Sequence, residues 1–226
     1  MDKPEALRFA RLAHDLHDQD GFEETVELLV ESAPALVGSD CASVLMSRHG
    51  RLEESDPGTS VLADKADSLQ IALGEGPAFD AVSEQRTVVS VDLSTESRWT
   101  QWAPAVSVIG VGRVLAVRLW TAAHTLGVIT LYAERPRAFD PDSVAIAEIL
   151  GRHASVALAA ARQEESLVQA IDARKLVGQA QGILMERFDL DDRKAFDVLR
   201  RYSQTTNTKL NEVARLLVST RTLPEL

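Results

Sequence analysis

Three sets of side chains in this 226-residue sequence have types and spacings that chemistry uses. His14 and His17 stand three apart, a spacing at which two imidazoles can share a metal ion. No Cys, further His or Glu completes that set nearby, so the pair reads as solvated and no metal site is expected. Cys41 is the only thiol, and a lone cysteine excludes an internal disulfide. It opens the apolar run Cys41-Ala-Ser-Val-Leu-Met46, which points to a buried, inert thiol. The third set is cationic. Arg174, Arg200, Arg201, Lys209 and Arg215 fall outside the apolar stripes of their segments. Cations gathered on one face can hold phosphate, although such residues on their own equally describe a solvated face. Serines are scattered without an elbow motif, no Walker-type loop exists, and Gly74-Glu-Gly76 is too short to cradle a phosphate. The chain therefore reads as a non-enzyme with no cofactor.

Composition bounds the classes. With 45% hydrophobic and 26% charged residues, the chain has enough apolar mass for a real core. The opening Met-Asp-Lys-Pro-Glu has no apolar stretch of the signal-peptide kind, and no uninterrupted apolar run is long enough to span a bilayer, so a cytoplasmic protein without a membrane segment is expected. The net charge of −10 is uneven. Residues 1–169 hold 14 Lys/Arg and 26 Asp/Glu, whereas residues 170–226 hold 10 and 8. The acidic body discourages nonspecific nucleic-acid binding, and the tail is compatible with it.

The elements that must position these groups follow from periodicity. Residues 4–18 place Leu7, Phe9, Leu12, Ala13 and Leu16 near helical spacing, and 22–37 repeat the pattern after Gly21. Strands are predicted at 42–47, 51–55, 87–91, 111–120 and 126–133, with a loop at Asp56-Pro57-Gly58 and a hairpin turn at 121–125. Helices are predicted at 62–73 and 78–85, and 92–110 is irregular or only briefly helical. This describes an α+β layer, one antiparallel sheet with helices packed against it. Asp140-Pro141 then opens a proline-free run to Phe188, which at 1.5 Å per residue predicts a rod of roughly 65–70 Å.

Several motifs in residues 5–162 resemble those of a GAF domain: Leu73-Gly-Glu-Gly-Pro77, Val91-Asp-Leu93 before Arg98-Trp99, Val114-Leu-Ala-Val117, and Leu126-Gly-Val-Ile-Thr-Leu-Tyr132 before Phe139-Asp140. The resemblance implies a regulatory module with a small-molecule pocket between sheet and helices. Phe79, Trp99, Trp102, Val106, Leu115 and Val117 are the candidate lining, and they are equally explained as core. Many relatives have Cys after Gly-Pro where this chain has Ala78, which excludes thiol sensing there. No His or Cys is placed to hold a haem or a chromophore.

The rod continues past the sheet. Ile146, Leu150, Ala154 (or His153), Ala157, Ala161, Glu164, Val168 and Ile171 alternate in steps of three and four, a coiled-coil seam broken at Glu164. That seam predicts a homodimer, against the alternative that its first half packs on its own sheet. Beyond it, Val177, Ala180, Leu184 and Phe188 share a face. Asp191 caps a helix to about 204, Thr205–Thr208 form a turn, and Thr208 caps a last helix to about Val218.

Gly178-Gln-Ala-Gln-Gly-Ile-Leu-Met-Glu-Arg187, Asp192-Arg-Lys-Ala-Phe-Asp-Val-Leu-Arg-Arg-Tyr202 and Lys209-Leu-Asn-Glu-Val-Ala214 resemble the ANTAR family over residues 166–221. That resemblance implies a stem ending in a three-helix bundle, which binds paired RNA hairpins in a leader transcript and prevents a terminator from forming. Arg174, Lys175, Gln181, Gly182, Arg200, Arg201, Lys209 and Arg215 are then the RNA-binding candidates. Gln181 stands where the family commonly has Lys. Gly178 and Gly182 each cost a helix about 1 kcal/mol relative to Ala, which asks for a packing or close-approach role. The expected architecture is a GAF-like sensor at 1–162 and an ANTAR domain at 163–226, sharing one helix. The competing readings are a helix-turn-helix DNA-binding regulator, with Asn211 and Arg215 as base readers, and a ligand-binding scaffold without nucleic-acid activity.

Overall fold

The computed structural model describes residues 3–54, 59–134 and 139–222. The loop expected at Asp56-Pro57-Gly58 lies outside them, as does the side chain of Leu7. The chain divides into two compact units, Met1–Arg162 and Gln163–Leu226.

In the first unit, α1 (Lys3–His17) and α2 (Phe22–Val37) precede β1 (Cys41–Arg48) and β2 (Arg51–Glu54). Next come α3 (Val61–Leu73), α4 (Pro77–Ser83), β3 (Val88–Ser90) and the short α5 (Trp102–Val108). The hairpin of β4 (Arg113–Trp120) and β5 (Thr125–Ala133) closes the sheet, whose order is β2-β1-β5-β4-β3 with every pairing antiparallel. Because successive strand residues point to opposite faces, the alternation divides the core in two. Ala42, Val44, Met46, Leu115, Val117, Leu119, Ile129 and Leu131 meet α1, α2 and the start of α6 on one side. Leu45, Val88, Val114, Ala116, Val128 and Tyr132 meet α3, α4 and α5 on the other. Each large apolar side chain buried this way contributes about 1.5–3 kcal/mol.

The helix α6 (Pro141–Phe188) spans 48 residues. Asp140 caps it, its Oδ1 accepting from Ser143 N at 2.7 Å, as the Asp-Pro pair predicts. At Gly151 this helix packs closely on β4, since a Cβ there would lie 2.6 Å from Val117 Cγ1. Leu150, Ala154 and Ala157 are buried in the unit's own core, so the first half of the expected seam is used internally. Only the later members stand free: Val168 is 52% and Ile171 65% exposed, beside Leu167 at 58%. α6 also holds a window of mean hydropathy 1.4, long and apolar enough to cross a membrane by composition. Of that window, 44% is buried inside the protein, and one such helix is weak evidence of a membrane span.

In the second unit the last third of α6 packs with α7 (Asp192–Thr206) and α8 (Leu210–Thr220). Ala180, Leu184, Ala195, Leu199, Val213, Ala214 and Leu217 form its core. Phe188, expected on that face, is 55% exposed. Asp191 caps α7 through Lys194 N at 2.8 Å. The α7–α8 connection differs from expectation, because Thr205 and Thr206 remain helical and Asn207, in the left-handed region at φ 49°, ends α7. The residue before α8 is Lys209, with no side-chain cap, and Thr208 Oγ1 instead donates to Thr206 O at 3.3 Å.

Candidate functional site

The six residues expected to line one pocket in the first unit do not share a space. Trp99, Trp102 and Val106 are buried on the α3–α5 side of the sheet, whereas Leu115 and Val117 are buried on the opposite side. The physical reason is strand alternation: on β4, Val114 and Ala116 point one way and Leu115 and Val117 the other. Phe79 is only partly buried. The tryptophans are packed and satisfied. Their rings meet edge to face at 5.4 Å, Trp99 Nε1 donates to Asp80 Oδ2 at 2.8 Å, and Trp102 Nε1 donates to Ala66 O at 2.9 Å. They are core.

That side of the sheet instead holds a polar network that periodicity and motif hardly foreshadow. Gln70 Nε2 donates to Asp67 Oδ1 and meets Tyr132 Oη, each at 3.1 Å, and Tyr132 Oη donates to the same carboxylate oxygen. Gln70 Oε1 accepts from Ala78 N at 2.8 Å. Burial and the Asp67 carboxylate push the Tyr132 phenol well above its usual range. The Gly-Glu-Gly-Pro motif serves this network. Gly76 sits at φ 140°, and a Cβ there would overlap the Gln70 side chain. Glu75 Oε1 accepts from the backbone of Gln101 and Trp102 at 2.7 Å each, tying the α3–α4 loop to α5. The one signal was polar Asp67 and Gln70, three apart and so on one face of α3, which they share with buried Ala63 and Ala66.

His14 pairs with Asp18 at 3.0 Å on an exposed surface. Cys41 is buried, and burial raises its thiol above the usual value.

In the second unit, a groove of about 530 Å³ lies among α6, α7 and α8. Val177, Phe196 and Leu210 give it an apolar floor, and Arg174, Gln181 and Asn211 line it with polar groups. Gln181 is held in place, its Nε2 donating to Asp192 Oδ1 at 2.8 Å and Asp192 O at 3.2 Å. Residues four apart share a helix face, so Arg200 lies one turn on from Phe196 and Arg215 one turn on from Asn211, both exposed and outside the groove lining. Arg200 meets Asp197 at 2.8 Å, an exposed i,i+3 pair that leaves the guanidinium partly free. Arg201 is exposed one residue further round α7, on the face that Lys194 and Asp197 occupy. Lys175 and Gly182 are exposed but do not line the groove, and Lys209 is exposed at the start of α8. The structure thus brings Arg174 and Gln181 together with Phe196 and Asn211. Sequence reasoning missed Phe196 as a site residue. It stood next to the buried Ala195, half a step off the apolar stripe, and that offset was the available signal.

The helix glycines separate into two kinds. Gly151 is pressed against Val117, whereas a Cβ at Gly178 or Gly182 would meet nothing within 4 Å. Packing within the protein does not account for the second pair.

The geometry agrees with what is known of other proteins. A GAF domain model matches residues 19–159, and an ANTAR domain model matches residues 165–218. No curated protein matches the chain in sequence. Among solved structures, the GAF domain of a phosphoenolpyruvate-protein phosphotransferase from Coxiella burnetii superposes with a TM-score of 0.57 at 15% identity, over 72% of this chain and 96% of that one. The free methionine-R-sulfoxide reductase from Neisseria meningitidis, in complex with its substrate, gives 0.55 at 15% identity over 73% and 95%. A bacteriophytochrome from R. palustris gives 0.60 at 11% identity, over 81% of this chain and 43% of that one. At such identities the likeness is one of fold.

Proposed function

We infer the function from one premise: this chain belongs to the GAF domain family and carries an ANTAR domain directly behind its GAF domain. On that premise the protein is a cytoplasmic, signal-responsive regulator that works by binding and not by catalysis. The GAF domain receives the signal. The ANTAR bundle binds hairpins in a nascent transcript and keeps a terminator from forming.

The observation that carries the RNA reading is the groove among α6, α7 and α8. An aromatic and two aliphatic side chains form its floor, while a cation and two amides stand at its edge. An unpaired base needs this combination: an apolar face to stack on, amides to read its edge, and a guanidinium for the neighbouring phosphate. Gly178 and Gly182 support the same reading, because their surface is open to close approach by something outside the chain. Leu167, Val168 and Ile171, exposed on α6, support a homodimer in which two bundles engage paired hairpins.

Binding of the full chain to a two-hairpin RNA, to duplex DNA and to an unrelated RNA, each over a series of salt concentrations, tests this. The expected result is tightest binding to the two-hairpin RNA, with a salt dependence set by several phosphate contacts. Equal or tighter binding to duplex DNA would favour a helix-turn-helix regulator. Absence of nucleic-acid binding would leave a ligand-responsive scaffold.

A further inference from the structure

The first unit is acidic, with 14 Lys/Arg against 24 Asp/Glu in residues 1–162. Yet Arg86, Arg118 and Arg152 line a single cavity of about 220 Å³ at the β3 edge of its sheet. Three elements supply them. Arg86 comes from the connection between α4 and β3, and Arg118 from the end of β4 that runs on beyond its pairing with Val88–Ser90. Arg152 comes from α6. The end of β4 is fixed to α6 there, Trp120 N donating to Ser155 Oγ at 2.9 Å while Ser155 Oγ donates to Gly151 O at 2.6 Å.

The charges in this cavity are not compensated from within. Among the described residues, Glu148 is the one carboxylate lining it, which leaves three cations against one anion. Among the described residues, Arg86 pairs only with the exposed Glu84, and neither Arg118 nor Arg152 takes part in an ion pair. The Arg118 guanidinium lies over the Trp120 ring at 5.0 Å, and its Nε is buried with no hydrogen-bond partner. A buried guanidinium N–H without an acceptor is costly, and converging like charges add to that cost. An oxyanion held among the three cations removes the like-charge cost, because a guanidinium fork matches phosphate geometry.

We propose that this cavity binds a small phosphate-type dianion, either inorganic phosphate or a phosphate monoester with a short substituent. The guanidinium groups of Arg86, Arg118 and Arg152 hold its oxygens. Its volume is below the roughly 300–1,000 Å³ of pockets that take drug-sized ligands, which disfavours a whole nucleotide. The net charge of three arginines and one glutamate matches a dianion. Trp120, 47% exposed, lines the cavity beside Arg118. The bound anion would join the edge of β4 to α6, the helix that continues into the ANTAR domain. None of this depends on RNA binding.

The test is calorimetric titration of the full chain with inorganic phosphate, with methyl phosphate, and with chloride at matched ionic strength. Tryptophan fluorescence is followed in the wild type and in Trp120→Phe. The expected result is one saturable phosphate site per chain, with a fluorescence change that Trp120→Phe abolishes. Arg152→Gln and Arg86→Gln, at exposed residues, should leave the thermal midpoint unchanged and each weaken binding by about tenfold. Tighter binding of methyl phosphate would identify a monoester as the ligand class; a preference for inorganic phosphate would identify the free anion. No saturable heat, or affinity unaltered in both arginine variants, would overturn the proposal.

Discussion

The side-chain amide of Gln181 donates to Asp192 Oδ1 at 2.8 Å, so a groove-lining residue of α6 is fastened to the first residue of α7. A lysine at 181 would meet the same carboxylate, and part of its charge would be neutralised before any phosphate arrived. Gln181→Lys should therefore change RNA affinity by less than one full phosphate contact. Adding Asp192→Asn should release that charge and steepen the salt dependence by about 0.7 in log–log slope. Filter binding over a salt series measures it. An unchanged slope in the double variant would remove Gln181 from the RNA surface.

The groove floor and the arginines should fail in different ways. Phe196→Ala and Asn211→Ala should each weaken hairpin binding by about 1–3 kcal/mol, the range for stacking and base-edge contacts, with little change in salt slope. Arg200→Ala together with Arg201→Ala should lower the salt slope by about 1–2 at unchanged helicity. Arg200 should account for most of that effect, since it shares the Phe196 side of α7. If Arg201→Ala has the larger effect, the groove is not where RNA lies.

The glycines of α6 should respond with opposite signs. Gly151→Ala places a methyl on Val117, whose branched side chain has little room to give, so about 1–3 kcal/mol of stability should be lost despite the better helix propensity. Gly178→Ala and Gly182→Ala meet nothing and should raise stability by up to about 1 kcal/mol each. Those two variants should nevertheless weaken RNA binding or dimerisation. Thermal denaturation paired with binding assays distinguishes the two classes. Gly178→Ala and Gly182→Ala variants that keep full binding and full dimer mass would show those glycines to be without a partner.

Exposed Leu167 and Ile171 lie four apart on α6 and should hold the dimer. Leu167→Glu with Ile171→Glu should shift the sedimentation mass toward a monomer without loss of helicity. A dimer that persists in this variant would place the interface elsewhere.

Glu96 accepts from Arg98 Nε at 2.9 Å and from its Nη2 at 2.5 Å. The arginine holds the carboxyl down to about 2, below its ordinary value of 4.5. A depressed carboxylate stabilises the fold at every pH above its unfolded value and loses that contribution as pH falls through the folded one. Stability should therefore be flat for this pair above pH 4.5 and decline from there toward 2. Screening at the surface limits the effect to about 1 kcal/mol. Glu96→Gln should flatten that part of the acid limb in denaturant titrations.

Much of the architecture was legible because it depends on local rules. Asp140-Pro141 and Asp191 cap the helices they were expected to cap, and the β4–β5 hairpin stands where branched and apolar residues flank a short polar turn. The two family patterns depend on ordered motifs of this kind, so they too could be read from the sequence. The register of helices on surfaces was not legible. Ile146 to Ile171 fits one stripe by periodicity, yet the sheet takes Leu150, Ala154 and Ala157 and leaves Val168 and Ile171 outside. Leu115 and Val117 look like neighbours of Trp102 in composition, but the pleat turns them to the other face. The groove beside Phe196 and the cavity of Arg86, Arg118 and Arg152 join residues far apart along the chain, and the Gln181–Asp192 link joins two successive helices. Sequence determines which side chains each element carries and how often they recur. Only the tertiary structure decides which of them meet, because that depends on how two surfaces from distant segments are turned toward each other.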